Sequence, residues 1–286
     1  MPKFLIITAD DFGLHESVND AVEQASRGGV LTAASLMVGA PAAADAIRRA
    51  KSMPGLRVGL HLVLVDGQAV LPHEQIPLLA DRNGFMDADM FKRSIGAFAF
   101  PQVRRQIAAE IRSQFEAFVA SGLPLDHVNL HKHLHLHPTL LGMVLRIGRD
   151  YGLSAVRVPD EPRWFAAHQN GRRPRIGHLL LKPWLAQMKC RLDRAGVFHN
   201  DAIFGIAHSG AMVETRLLQV IERLPDGVSE VYLHPAASEC AITASMDGYR
   251  HAEELSALLS TRVRAAIKAV GVAVGGFVDA RRIMQF

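Results

Sequence analysis

Lys3-Phe4-Leu5-Ile6-Ile7-Thr8-Ala9-Asp10-Asp11 is the stretch on which the fold is decided. Lys3–Thr8 is a short apolar run, far below the length of a secretory leader, and reads as a buried strand. It ends on two adjacent carboxylates. Charged side chains at the carboxyl end of a buried parallel strand are where α/β enzymes place their chemistry. An Asp-Asp pair in that position can equally cap a helix or shape a turn with Phe12-Gly13, so the pair needs partners.

Outward from this strand, short apolar runs alternate with helical patterns. A helix over Glu16–Arg27 leads to a strand at Ala33–Val38, and a helix over Ala42–Ser52 leads to a strand at Arg57–Leu64. A Gly-, Pro- and Asp-rich loop, Asp66–Asp89, precedes a helix over Val103–Ala120 and a strand at Val128–His131. Then come a helix at Thr139–Asp150, strands at Ala155–Val158 and Ala202–Ile206, a helix at Glu214–Leu224 and a strand at Glu230–Leu233. The helix Ala252–Val270 and a strand near Val272–Gly275 close the chain. Strands alternating with helices indicate parallel βαβ units, and seven or eight of them favour a distorted TIM-like (β/α) barrel, expected as one domain over 1–286.

Bulk properties narrow the function. The 286 residues are 49% apolar and 21% charged, enough for a sizeable core. Cys190 and Cys240 provide neither a disulfide framework nor a thiolate metal site, which points to a reducing compartment and a cytoplasmic location. A net charge of +4 without a nucleic-acid motif argues against nucleic acid as a partner. No dinucleotide or P-loop glycine fingerprint follows any strand. One local excess stands out: Arg163, Arg172, Arg173, Arg175, Lys182, Lys189 and Arg191 fall in the acid-free stretch Arg163–Leu192, within a basic amphipathic insertion read at about 160–195.

In a (β/α) barrel the strand ends share one face. Asp10, Asp11, His61, His131, Arg157 and His234 all fall at expected strand ends and would therefore meet. One carboxylate with two imidazoles (Asp11, His61 and His131) suits a divalent ion with open positions. Asp10 beside it could take a proton from a bound water, His234 could protonate a leaving amine, and Arg157 could keep Asp10 ionised. Alone, His61 or His234 reads as a hydrogen-bonded core histidine. The run from His127 to His137 is different, with five histidines in eleven residues. Period-two spacing would put His131, His133 and His135 on one side of an extended segment, and His133 and His135 are expected to line the substrate pocket.

Four ordered motifs then carry a resemblance: Ala9-Asp10-Asp11-Phe12-Gly13, Gly59-Leu60-His61-Leu62, His131-Lys132-His133-Leu134-His135 and Leu233-His234-Pro235. They resemble the YdjC-like carbohydrate deacetylases, which include chitooligosaccharide deacetylases, and the likeness extends to Arg250…Glu253-Glu254-Leu255…Leu258. Ala34–Val38, Gly59–Val65 and Leu125–Asn129 look most like the hopanoid-biosynthesis-associated branch. The resemblance implies a distorted barrel, a divalent metal (zinc or magnesium) on Asp11, His61 and His131, Asp10 as general base and His234 as general acid. The branch implies an N-acetylglucosaminyl hopanoid as substrate. Asn129-Leu130 stand where many members carry Asp-Ser, so a hydrogen bond behind the metal ligands is expected to differ.

Two features suit a lipid-linked substrate. Leu181, Trp184, Leu185, Met188 and Leu192 share one face of a basic helix, which could lie at the inner membrane surface through about 178–192 or simply pack on the barrel. Phe91, Phe98 and Phe100 form an apolar insertion near the mouth. Three other readings of the chain stay open: a soluble chitooligosaccharide deacetylase, a sugar- or lipid-binding barrel without turnover, and a non-haem iron oxygenase using the same two-histidine, one-carboxylate set. Oligomeric state is not legible.

Overall fold

The computed structural model describes residues 2–166, 177–238 and 242–284, without the side chains of Phe91 and residues 177–180. The strands are β1 (Lys3–Phe12), β2 (Ala33–Leu36), β3 (Arg57–Leu62), β4 (Gly67–Gln68), β5 (Phe85–Met86), β6 (Val128–Leu130), β7 (Ala202–Phe204), β8 (Gly227–Leu233) and β9 (Ala273–Val274). The helices of the first half are α1 (Glu16–Gly28), α2 (Ala43–Lys51), α3 (Met90–Ala99), α4 (Pro101–Ala120) and α5 (Pro138–Gly148). Those of the second half are α6 (Arg163–Ala166), α7 (Gly177–Arg194), α8 (Glu214–Glu222), α9 (His251–Leu259), α10 (Thr261–Val270) and α11 (Phe277–Met284). A 3₁₀ segment, His131–Leu136, joins β6 to α5.

The main sheet is parallel and runs β6-β3-β2-β1-β8-β7. β1 lies at its centre, pairing with β8 from Lys3 to Ala9 on one edge. On the other edge β9 pairs at Phe4 and Leu5, and β2 takes over from Thr8. Nine residues of β1 and all seven of β8 are buried, as strands covered on both faces must be. The ring closes irregularly through residues 154–160. Val128 N–H donates to Ala155 O, Val156 N–H to Phe198 O and Ile203 N–H to Asp160 O. The distorted (β/α) barrel is thus borne out.

Three elements differ from expectation for local reasons. Ala155–Val158 makes only isolated bridges, because the Asn200 side chain stands in for a neighbouring strand: its Oδ1 accepts from Val158 N at 2.7 Å and its Nδ2 donates to Val158 O at 2.8 Å. The single closing helix is two, because Ser260 turns extended and caps α10, accepting from Arg262 and Val263 N–H. α4 begins at Pro101, whose missing N–H costs nothing at a first helical position, and α3 fills the stretch between the Asp66–Asp89 loop and the expected helix start at Val103.

The basic insertion is mostly a packed helix. Leu185, Met188 and Leu192 of α7 are core residues, and only Leu181 and Trp184 of the expected membrane-facing stripe stay exposed. Arg172, Arg173, Arg175 and Cys240 lie outside the described residues, as does the side chain of Phe91, while Cys190 is an exposed thiol. Among the described residues no helix is long and apolar enough to cross a membrane.

Candidate active site

A bulge at the end of β1 lets two adjacent aspartates serve one cleft. Successive strand residues normally face opposite sides. Between Ala9 and Phe12 the pairing with Ala34 and Leu36 of β2 takes up one extra residue, and Asp11 sits at φ 63, in the left-handed region. A non-glycine residue held there stores backbone strain, as bulges beside functional sites often do. Both carboxylates end buried, 2% and 1% exposed, with different partners.

Asp11 meets the imidazoles. Its Oδ1 lies 3.3 Å from His61 Nε2 and 3.4 Å from His131 Nδ1, and those two nitrogens are 3.3 Å apart. Near-equal separations of this size are the edges expected between donors that share a tetrahedral centre about 2 Å away. Both Asp11 oxygens are buried without a hydrogen bond of ordinary geometry, a costly arrangement for an anion unless a cation completes it. Among the described residues these three form a group that could hold a metal ion. His61 is oriented from behind: its Nδ1–H donates to Asn129 Oδ1 at 2.6 Å, turning the Nε2 lone pair toward Asp11.

Asn129 sits at a junction. Its Nδ2 donates to Asp10 Oδ1 at 3.1 Å and to Ser35 Oγ at 3.0 Å. Ser35 contacts His127 Nε2 at 3.0 Å, and His127 Nδ1 contacts Asp126 Oδ2 at 2.9 Å. Read in one direction, Asn129 donates to Ser35, Ser35 to His127 and His127 to Asp126, every group buried. The amide that replaces the expected carboxylate can thus bind His61 and Asp10 at once, which a carboxylate, having only acceptors, could not do.

Asp10 belongs to a buried ionic cluster. Arg157, with no exposed surface, grips it with NH1 at 2.5 Å and NH2 at 2.9 Å. The same guanidinium donates to Glu230 at 2.7 and 3.0 Å, and Thr8 Oγ1 donates to Glu230 Oε1 at 2.7 Å. Burial by itself would raise the Asp10 carboxyl, but the adjacent Arg157 charge reverses that and holds it well below the ordinary range. Asp10 is therefore ionised. Arg157 is enclosed behind it, between the Asp10 and Glu230 carboxylates.

His234, after β8, approaches from the far side, with Nε2 3.9 Å from Asp11 Oδ2. Burial lowers its pKa, and the two aspartates only partly offset this, so the ring is neutral at rest. Its backbone N–H donates to Glu254 Oε2 at 2.6 Å, and His251 Nδ1 donates to its carbonyl at 2.6 Å. The Tyr249 ring lies 5.3 Å away.

The histidine-rich run is not extended. Lys132 and His133 both take left-handed φ of 54 before the 3₁₀ turn, so the expected one-sided array does not form. His133 is half-buried, with Nε2 3.2 Å from Tyr232 Oη. His135 has no exposed surface and its Nε2 donates to Arg157 O at 2.9 Å. Burial first, then the Arg157 charge, pushes His135 down to about 3. It supports Arg157 from behind and does not line the pocket.

Comparison with known proteins follows from this geometry. The family model described as YdjC-like protein matches residues 4–269. The chain belongs to the YdjC-like family. A carbohydrate deacetylase of Geobacillus stearothermophilus is 32% identical over 95% of this chain and 96% of its own length. One from Brevibacillus brevis is 30% identical over 91% of this chain and 92% of its own. A chitooligosaccharide deacetylase of Serratia marcescens is 28% identical over 98% of this chain and all of its own. A solved protein from Enterococcus faecalis V583, named for cellobiose-phosphate cleavage, superposes with a TM-score of 0.74 at 26% identity, covering 98% of this chain and 99% of its own. This YdjC-like chain is a hydrolytic deacetylase, as its sequence led us to expect.

Sequence reasoning reached Asp10, Asp11, His61, His131, Arg157 and His234, and the structure brings all six together. It missed Glu230 and gave Glu254 no role. The first left a signal, a lone acid inside the fully buried strand β8. Ser35 left none, because its partners are distant in the chain.

Proposed function

We propose that the chain removes the acetyl group from an N-acetylglucosamine-type sugar carried on a hopanoid lipid, releasing acetate and a free amino sugar. The convergence of Asp11, His61 and His131 beside an ionised Asp10, with His234 opposite, carries the reading. The names of the deacetylase relatives support the reaction class, and the segments around Ala34–Val38 and Gly59–Val65 support the lipid carrier.

Asp11, His61 and His131 would hold a divalent ion, which when bound polarises an acetyl carbonyl and makes an attacking water more acidic. Two imidazole nitrogens beside one carboxylate form a donor set that suits a zinc-like ion better than magnesium, which prefers oxygen ligands. Asp10 takes the proton from the attacking water. Gripped by Arg157, it is a weak base and holds that proton only briefly. His234, neutral at rest, takes up the proton that Asp10 gives back through the site as negative charge builds on the acetyl oxygen, and delivers it to the departing nitrogen, so that the C–N bond breaks and the amine leaves uncharged. Asn129 fixes Asp10 and His61 in register.

A second reading, a soluble chitooligosaccharide substrate, is favoured by the full-length likeness to the Serratia marcescens protein. Acetate release from purified, metal-loaded chain tests both readings. Turnover of N-acetylglucosaminyl hopanoid well above that of chitobiose is expected. The reverse order would move the assignment to the soluble sugar, and release from neither would overturn it.

A further inference from the structure

Outside the barrel, α4, α5 and α7 border an open cleft of about 600 Å³ lined by Arg104, Arg105, Arg146 and Arg191, with Pro101 and Pro138 at the first positions of α4 and α5. A neighbouring depression of about 330 Å³ shares Arg146 and Arg191 and adds Arg149. No Asp or Glu lines either one, and none of the five arginines has an ion pair with a described acid. Arg191 is held in place. Arg191 NH1 donates to Pro138 O at 2.8 Å, and its NH2 lies against Gly142, where a Cβ would come within 2.8 Å. Two helix N-termini add positive dipole ends. Four such guanidiniums around one cleft, with a fifth in the depression beside it, call for an anion, and their planar donor forks match phosphate oxygens.

The surroundings narrow the source of that phosphate. Phe98 is 71% exposed and Phe100 56% exposed immediately before α4, and Arg104 NH1 donates to Phe98 O at 3.3 Å. Trp184 is 42% exposed on α7, two turns before Arg191, and its indole N–H donates to Leu136 O beside Pro138. Aromatic side chains flanking a cationic depression suit a bilayer interface. α5 follows directly on the histidine turn that supplies His131, so this edge adjoins the catalytic face.

We propose that the arginine cleft binds the phosphate of an anionic phospholipid headgroup and docks the chain on a membrane surface. The inference goes beyond the deacetylase reading, and its test needs no turnover, so either can fail alone.

Co-sedimentation of the full chain with vesicles tests it at about 0.1 M salt, where only nearby charges act. Vesicles of phosphatidylcholine with phosphatidylglycerol are expected to retain the chain, and phosphatidylcholine alone is not. The double variant Arg105→Gln/Arg146→Gln removes two exposed charges and should cut partitioning about 25-fold, at about fivefold per charge. An unchanged circular-dichroism spectrum and thermal midpoint of that variant show that it is folded. Equal retention by both vesicles, no retention, or wild-type retention by the variant overturns the proposal. Saturable binding of inorganic phosphate without vesicle retention, or tighter binding to duplex DNA than to vesicles, overturns it as well.

Discussion

At the residue scale, the two adjacent aspartates differ in function because their partners differ. Asp11 faces imidazoles and lacks a hydrogen bond, whereas Asp10 is saturated by Arg157 and Asn129. Asp10→Asn keeps the size and most of the bonding, so fold and metal content should persist while acetate release drops about a hundredfold or more. Full activity in that variant would reject the base assignment. Asp11→Asn should behave oppositely and lose the ion. Saturating metal at about 100 times its dissociation constant stabilises a protein by about 2.7 kcal/mol. Thermal melts with zinc and with a chelator should therefore separate by several degrees in the wild type and coincide in Asp11→Asn.

At the element scale, strand ends need exact spacing between neighbours. In Gly59-Leu60-His61-Leu62 the glycine is there for packing: a Cβ on Gly59 would overlap the His127 ring. That ring anchors the Ser35–Asn129 path that orients His61. Gly59→Ala should destabilise the chain by about 1–3 kcal/mol, as overpacking does, and should lower activity beyond the loss of folded protein. Denaturant unfolding with activity per folded molecule checks both effects. If the variant were as stable and active as the wild type, His127 would be shown to move aside freely. The bulge at Asp11 belongs to the same scale, since periodicity alone would send Asp10 and Asp11 to opposite faces.

At the scale of the whole molecule, Glu254 of α9 ties the end of β8 to the loop before α8, accepting from His234 N and Met212 N. Burial pushes its carboxyl up from 4.5 to about 7, with the two N–H donors partly opposing. The folded chain therefore holds this proton more tightly than the unfolded chain does. The resulting stability is fully present below pH 4.5 and is lost as pH rises through about 7. It amounts to at most about 3 kcal/mol. In Glu254→Gln this component should vanish, so the variant's unfolding midpoint should vary less between pH 5 and pH 8 than that of the wild type, at about the same ionic strength. An identical pH dependence in the two proteins would mean that Glu254 stays ionised in the fold.

The order of motifs along the chain, together with alternating apolar runs, was enough to read a parallel barrel and six of the site residues, because strand ends in that fold converge whatever the loops do. The bulge that brings two neighbours to one cleft was out of reach, since it depends on the register between β1 and β2. So was the left-handed turn at Lys132 and His133, which removed His135 from the pocket and placed it behind Arg157. Glu230, Ser35 and Glu254 acquired their roles only through partners 20 to 222 positions away. Residue type and spacing determined which groups could do the chemistry. Tertiary contact decided which of them are charged, oriented or enclosed, because desolvation and hydrogen bonding act between neighbours in space and not along the sequence.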